Sequence, residues 1–150
     1  MSDGQLQFNI QEFVLAVEDA EKAANFFAAT FNSEPEPIMD FPDDGLELRM
    51  GGVWVGDTHV AFSQGRTDDG PISRFLSKRG EGLYEICVST NDLGAAIEHM
   101  KSTGVEFVSE EPYVLRDYRW KDETYSAVHI VFSRPSTTHG VLIELQQWFR

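Results

Sequence analysis

The chain of 150 residues has a single cysteine, Cys87. One thiol excludes a disulfide framework within the chain and fits a reducing compartment. Basic residues are also scarce: 12 lysines and arginines stand against 25 aspartates and glutamates, for a formal net charge of −13. That balance leaves no electrostatic footprint for nucleic acid or an anionic membrane, so neither partner is expected, and an anionic small molecule would need a local basic patch. No apolar run approaches the roughly 20 residues that cross a bilayer. The opening "MSDGQLQFNI" has neither a basic n-region nor an apolar h-region, so a secretory signal is not expected and a cytoplasmic location is. What is present, 41% hydrophobic and 25% charged residues, is the composition of one globular domain with a real core.

Periodicity divides the chain into similar halves. "QEFVLAV" alternates like a strand near 11–17. It is followed by "DAEKAANFFAATFN", where Ala20, Ala23, Ala24, Phe27 and Phe31 fall at helical spacing, with Asp19 as cap and Asn32 as stop. The order recurs in "YEICVST" and "NDLGAAIEHMKSTG". There Leu93, Ala96, Ile97 and Met100 share a helix face, Asn91 or Asp92 caps it and Gly104 ends it. "EFVLAVEDAEKAANFF" lies over "EICVSTNDLGAAIEHM" without a gap, so that Glu12 falls on Glu85 (85 − 12 = 73 residues apart) and Asp19 on Asp92. A repeat of about half the chain means two similar packed modules.

The remainder of each half reads as strands. In the first half these lie near 35–40, in "GLELRMGGVWV" and in "DTHVAFSQ". In the second they are "VEFVSE", "SAVHIVFSRP" and "GVLIELQQW". "DDGPISRFLSKRGEG" reads as a short linker helix opened by Pro71. The expected plan is therefore α+β, a single domain in two βαβββ modules: residues 10–65, a linker helix over 69–81, and residues 82–148. Within this plan one residue is out of place, because Glu85 puts an acid in a strand that otherwise wants a core.

The paired βαβββ plan, with "EFVLAVEDAEKAANFF", "GDTHVAF", "PISRFLSKRGEGLYEICVSTNDLGAAIEHMKSTGVEFVSEEP" and "HGVLIELQQ", resembles the vicinal oxygen chelate superfamily. That superfamily includes glyoxalase I, bleomycin-resistance proteins, extradiol dioxygenases and methylmalonyl-CoA epimerase, and the epimerase branch is the nearest likeness. The resemblance runs from about residue 10 to 148. It implies a glyoxalase-like mixed sheet, curled around a cleft, with a divalent metal held by one residue from the first and last strand of each module. It also implies a homodimer, since relatives are often dimers. In the epimerases the ligands are His, Gln or Glu, His and Glu. Carried over, these positions hold Glu12, Ala61, Glu85 and Glu144, so only Glu144 matches outright. The second base of the epimerases aligns near Leu48, with Glu47 one residue off and pointing to the opposite face. The resemblance thus answers the question of Glu85, which stands where the family places a ligand, as does Glu12.

Three converging, ionised carboxylates need compensation. At about 4 Å and an effective dielectric near 20, each like-charged pair costs on the order of 4 kcal/mol. A cation would supply it, and an all-oxygen set favours Mg²⁺, Mn²⁺ or Ca²⁺ over Zn²⁺. Alternatively the acids share protons and work as acid and base without metal. A third route is a nearby base: His59, two residues before Ala61, faces the same side and could pair with an acid or replace the missing ligand. The bland alternative is a decayed metal site in a wet cleft.

Cys87 shares a side with Glu85 and is expected to line the pocket. His129 reads as structural, His99 as surface and His139 as a loop residue, and the phenylalanines Phe26, Phe27, Phe31, Phe41, Phe62, Phe107 and Phe132 as core or cleft wall. "YVLRDYRWKDETY" reads as a long loop in which Arg116, Arg119 and Lys121 stand among aromatics. It is either a lid that clamps a carboxylate or phosphate of a small-molecule substrate, or a surface loop paired to its own acids. The resemblance implies an epimerase, isomerase or lyase that moves a proton on a small carbonyl compound, possibly a CoA ester, through an enolate-like intermediate, with Glu144 and Glu12 or Glu85 as bases and no organic cofactor. The alternative is a metal-free sequestering protein of the bleomycin-resistance type. A redox dioxygenase is disfavoured, because the two histidines of its iron site are absent.

Overall fold

Asp19 and Asp92 each begin a helix as the repeat requires. Asp19 accepts from the Lys22 N–H at 3.0 Å, and Asp92 accepts from the Ala95 N–H at 3.0 Å. These observations come from a computed structural model that describes residues 4–41 and 48–150. Its elements are β1 (Phe8–Ala16), α1 (Ala20–Thr30), β2 (Met39–Phe41), β3 (Leu48–Val55), β4 (Thr58–Gly65), α2 (Pro71–Arg79), β5 (Gly82–Thr90), α3 (Leu93–Ser102), β6 (Tyr113–Trp120), β7 (Glu123–Phe132) and β8 (Leu142–Phe149). The fold is α+β, with two βαβββ modules. Their strand orders match, β2-β3-β4-β1 in one and β6-β7-β8-β5 in the other. β1 runs parallel to β4, with Glu12 beside His59, and β3 is antiparallel to β4. In the second module β7 pairs antiparallel with both β6 and β8. Contacts divide the chain into two compact units, residues 12–85 and residues 1–11 with 86–150, the divisions falling within β1 and β5.

Each unit has its own core. In the unit 12–85, α1 buries Ala20, Ala24 and Ala28 against Val17, Val53 and Phe62. The buried stripe is therefore alanine, and Phe26 and Phe31, expected inside, are 61% and 51% exposed. The small stripe lets the helix lie close to β3. A Cβ on Gly51 would meet the Ala20 carbonyl at 2.9 Å and the Ala24 Cβ at 3.1 Å. Phe27 stacks on Phe62, with ring centroids 5.1 Å apart. In the other unit, α3 buries Leu93, Ala96 and Ile97 against Phe107, Val131 and Leu145. Fully burying a side chain such as Phe62 or Leu145 is worth about 1.5–3 kcal/mol.

The repeat extends to the helix N-termini. Gln64 of β4 accepts from the Ala20 N–H at 2.9 Å, and Gln147 of β8 accepts from the Leu93 N–H at 2.8 Å. Because Gln64 lies three residues after Ala61 and Gln147 three after Glu144, the equivalence of Ala61 and Glu144 rests on a shared hydrogen bond as well as on alignment.

Two expectations are corrected. "VEFVSE" is not a strand: Phe107 makes only an isolated bridge to Ser133. The second strand of the module comes later, as β6, and with β7 it turns the expected 113–125 loop into a hairpin. Its turn is at Lys121 and Asp122, and Lys121 adopts φ 55°. Tyr113, Val114, Leu115, Tyr118 and Trp120 are strand formers, and the charges interleaved with them hid the alternation. α2 begins at Pro71 as expected.

Candidate functional site

His59 is the centre of the first cluster. The register sets it beside Glu12 on β1 and Trp54 on β3. Its Nδ1 lies 2.5 Å from Glu12 Oε2, and its Nε2 hydrogen-bonds Glu36 Oε1. Trp54 donates its indole N–H to the other Glu36 oxygen at 3.3 Å and packs its ring 4.7 Å from the imidazole. A neutral imidazole has one N–H, whereas two carboxylates on two ring nitrogens require both. His59 is therefore an imidazolium. Burial alone would lower its pKa, but the hydrogen bonds and charges of Glu12 and Glu36 outweigh burial and raise it to about 9. The His59 hydrogen bond in turn holds Glu36 below the usual carboxylate range, against its own partial burial. Gly52 makes the space, since a Cβ there would meet Glu36 Oε1 at 2.5 Å and His59 Nε2 at 2.7 Å. Of the routes open to His59, the geometry shows pairing with an acid.

The second cluster lies on β5 and β8. Glu85, Cys87 and Glu144 each bring one ligand atom within 4.8 Å of the others. Glu85 and Cys87 are buried, two residues apart on the same side of β5 as the alternation requires. The Cys87 thiol donates to Glu144 Oε2 at 3.5 Å, and the Gln146 amide N–H donates to the same oxygen. Two acids and a sulfur, held this close inside the protein, suit a divalent cation, which would neutralise the carboxylates and accept all three donors. Glu12 is not a member of this group, and its carboxylate is engaged by His59.

The remaining expectations fall as follows. Arg116 and Arg119 are exposed on β6, and Lys121 is exposed in its turn. Glu123 pairs with Arg150. His99 is exposed on α3, and His139 sits in the turn before β8 with φ 56°. His129 packs against Phe149 at 4.7 Å. Leu48 opens β3, and Glu47 lies outside the described residues. Glu36, Trp54, Gly52, Gln146 and Trp148 were missed. The Gly51-Gly52 pair inside a strand was a signal of close approach, and "ELQQW" set Glu144, Gln146 and Trp148 on one face. Glu36, between two prolines and before β2, gave none. No helix among the described residues is long and apolar enough to cross a membrane.

The chain is similar to several known proteins. Mitochondrial methylmalonyl-CoA epimerase of Homo sapiens is 26% identical over 142 residues, 92% of this chain and 73% of the relative. The ethylmalonyl-CoA/methylmalonyl-CoA epimerase of Cereibacter sphaeroides is 26% identical over 143 residues, covering 92% and 96%. Among solved structures, Streptomyces coelicolor methylmalonyl-CoA epimerase in complex with 2-nitronate-propionyl-CoA superposes with a TM-score of 0.75 at 24% identity, over 93% of each chain. Residues 11–146 match the family model of the Glyoxalase/Bleomycin resistance protein/Dioxygenase superfamily, and the chain belongs to that superfamily.

Proposed function

We propose that the protein is an epimerase- or isomerase-type enzyme that moves a proton on a small carbonyl compound, with CoA esters as the substrate class suggested by its relatives' names. The observation that carries this reading is the convergence of Glu85, Cys87 and Glu144. A carboxylate there removes the proton next to the carbonyl, and the C–H electron pair moves to form the enolate C=C bond as the carbonyl pair shifts to oxygen. The oxygen pair then re-forms the carbonyl as the C=C pair takes a proton from a carboxylic acid on the opposite face of the same carbon. Glu144 is assigned as a base, since Gln146 and Cys87 fix its orientation, and Glu85 as its partner. Glu12 and His59 enter this reading as an ion pair within the unit 12–85. Arg116, Arg119 and Lys121, cations of the β6–β7 hairpin in a chain of charge −13, are assigned to the anionic part of the substrate.

Glu85, Cys87 and Glu144 would hold a divalent ion. When bound, such an ion polarises a carbonyl oxygen and stabilises negative charge developing on it. The expectation of a hard ion rested on an all-oxygen set that included Glu12. With Cys87 in its place, a borderline ion such as Co²⁺ or Zn²⁺ fits better.

Two measurements test the reading. Exchange of the α-proton of methylmalonyl-CoA into D₂O should be catalysed by the wild type and fall about 10²–10⁴-fold in Glu144→Gln. Titration with Co²⁺ should give near-ultraviolet thiolate-to-cobalt absorption, lost in Cys87→Ser. Exchange no faster than in buffer, with Co²⁺ present or absent, overturns the assignment.

A second reading, sequestration of a cationic ligand, has one observation in its favour. A groove of about 670 Å³ in the unit 12–85 is lined by Leu15, Phe26 and Phe27 and by three acids, Glu18, Asp19 and Glu81, against one cation, Lys22. Saturable binding of an organic cation without proton exchange is its expected outcome.

A further inference from the structure

Glu144 is the first member of a chain of hydrogen bonds that nothing above uses in full. Its Oε2 accepts from the Gln146 amide, and Gln146 Oε1 accepts from the Trp148 indole N–H at 2.9 Å. Gln146 is 4% exposed. An indole nitrogen can only donate, so it fixes which end of the Gln146 amide faces it: the carbonyl oxygen turns to Trp148 and the NH₂ turns to Glu144. The reversed amide would set donor against donor at one end and oxygen against carboxylate at the other. Trp148 is itself held by three rings packed edge-on, Tyr118 at 5.7 Å, Trp120 at 5.3 Å and Tyr125 at 5.0 Å. These rings come from the β6–β7 hairpin.

The internal repeat provides a control. The positions equivalent to Glu144, Gln146 and Trp148 in the first module are Ala61, Ser63 and Gly65. Where the acid is absent, the amide and the indole are absent too, although Ser63 is as buried as Gln146. General packing of the fourth strand therefore does not require them. Alternation alone places all three side chains on one face of β8, opposite the face where Leu145 enters the core and Gln147 caps α3.

We infer that Gln146 and Trp148 are positioning residues: the indole orients the amide, and the amide orients the Glu144 carboxylate as base and ligand. This rests on the reading of Glu144 as a working carboxylate. Partners of this kind, behind a ligating or catalytic group, typically change affinity or rate 10–100-fold when removed.

The test uses the full chain with Trp148→Phe, which keeps an aromatic ring but removes the N–H, and Gln146→Leu. Trp148→Phe should lower kcat for α-proton exchange about tenfold or more, leave KM within about twofold, and weaken Co²⁺ binding by a similar factor. Gln146→Leu should do at least as much. Unchanged kcat and Co²⁺ affinity in a folded Trp148→Phe protein overturn the inference. If the wild type neither exchanges the proton nor binds Co²⁺, the functional reading has failed and the relay is judged by NMR alone. Glu144→Gln should then shift both the Trp148 indole and the Gln146 side-chain amide resonances. If neither moves, the relay does not exist.

Discussion

His59 carries the clearest consequence at the scale of a single residue. Its pKa is raised from an ordinary 6.5 to about 9, so the folded state holds the proton more tightly than the unfolded chain. The stabilisation is fully present below the unfolded value and is lost as pH rises through about 9, a window in which few other side chains titrate. A shift of that size corresponds to on the order of 3 kcal/mol. Glu36 acts in the opposite direction: its pKa is lowered, so its share is present above about 4.5 and is lost as pH falls through the folded value. Melting temperature should therefore decline between pH 6.5 and 9, and His59→Gln should flatten that decline. A wild-type profile that is level over this range, or an imidazole that titrates near 6.5 by NMR, contradicts the double clamp. Residue-level legibility followed the same chemistry. Glu85 was conspicuous because an acid inside a strand needs a reason, and Asp19 and Asp92 were readable as caps. Glu36 was not readable, since its role depends on a contact that only the folded register makes. The resemblance placed Glu12 among the ligands, and the fold sets its Oε2 against His59 Nδ1.

Between residues and the molecule stand the elements, and here two adjacent glycines on β3 separate two different requirements. At Gly51 an added methyl meets the backbone carbonyl of Ala20, which cannot move without lifting α1 from the sheet. At Gly52 it meets the ends of the Glu36 and His59 side chains. Gly51→Ala should therefore destabilise by overpacking, about 1–3 kcal/mol, with the His59 titration preserved. Gly52→Ala should displace the Glu36 carboxylate, bring the His59 pKa down, and cost less if Glu36 swings into solvent. Calorimetry with imidazole titration by NMR distinguishes the two, and identical effects on the titration would show that the clamp does not depend on the space at Gly52. The elements were largely legible because strand and helix periods differ, and the 73-residue offset reproduced caps and strands alike. The misses were specific. α1 turned Phe26 outward, leaving Phe31 exposed beyond its end, and packed alanines and Phe27 inward, because close helix–sheet approach rewards small residues at a glycine strand. The second strand of the second module was read too early, because "VEFVSE" has strand composition, while the charged "RDYRWKDE" disguised a hairpin.

At the scale of the whole molecule, the charge of −13 offers a way to separate the two functional readings without knowing the ligand's pose. A field of one sign acts beyond contact distance, and salt screens it over a Debye length of about 10 Å at 0.1 M. A CoA ester carries phosphates and approaches against that field, so its association is slowed at low ionic strength and recovers as salt screens the repulsion. An organic cation bound by an acidic groove is drawn in by the same field and loses affinity as salt rises. If the protein acts on CoA esters, kcat/KM for methylmalonyl-CoA should therefore increase from about 0.01 M to 0.1 M NaCl, the range over which the Debye length shrinks from about 30 Å to 10 Å. An Arg116→Ala, Arg119→Ala variant should show a higher KM and a steeper salt response, because these hairpin cations are what offset the repulsion. A kcat/KM that falls over that range in the wild type means that attraction to the hairpin cations outweighs the global field. A response identical in wild type and variant removes Arg116 and Arg119 from the substrate's path and leaves the anion to be recognised elsewhere.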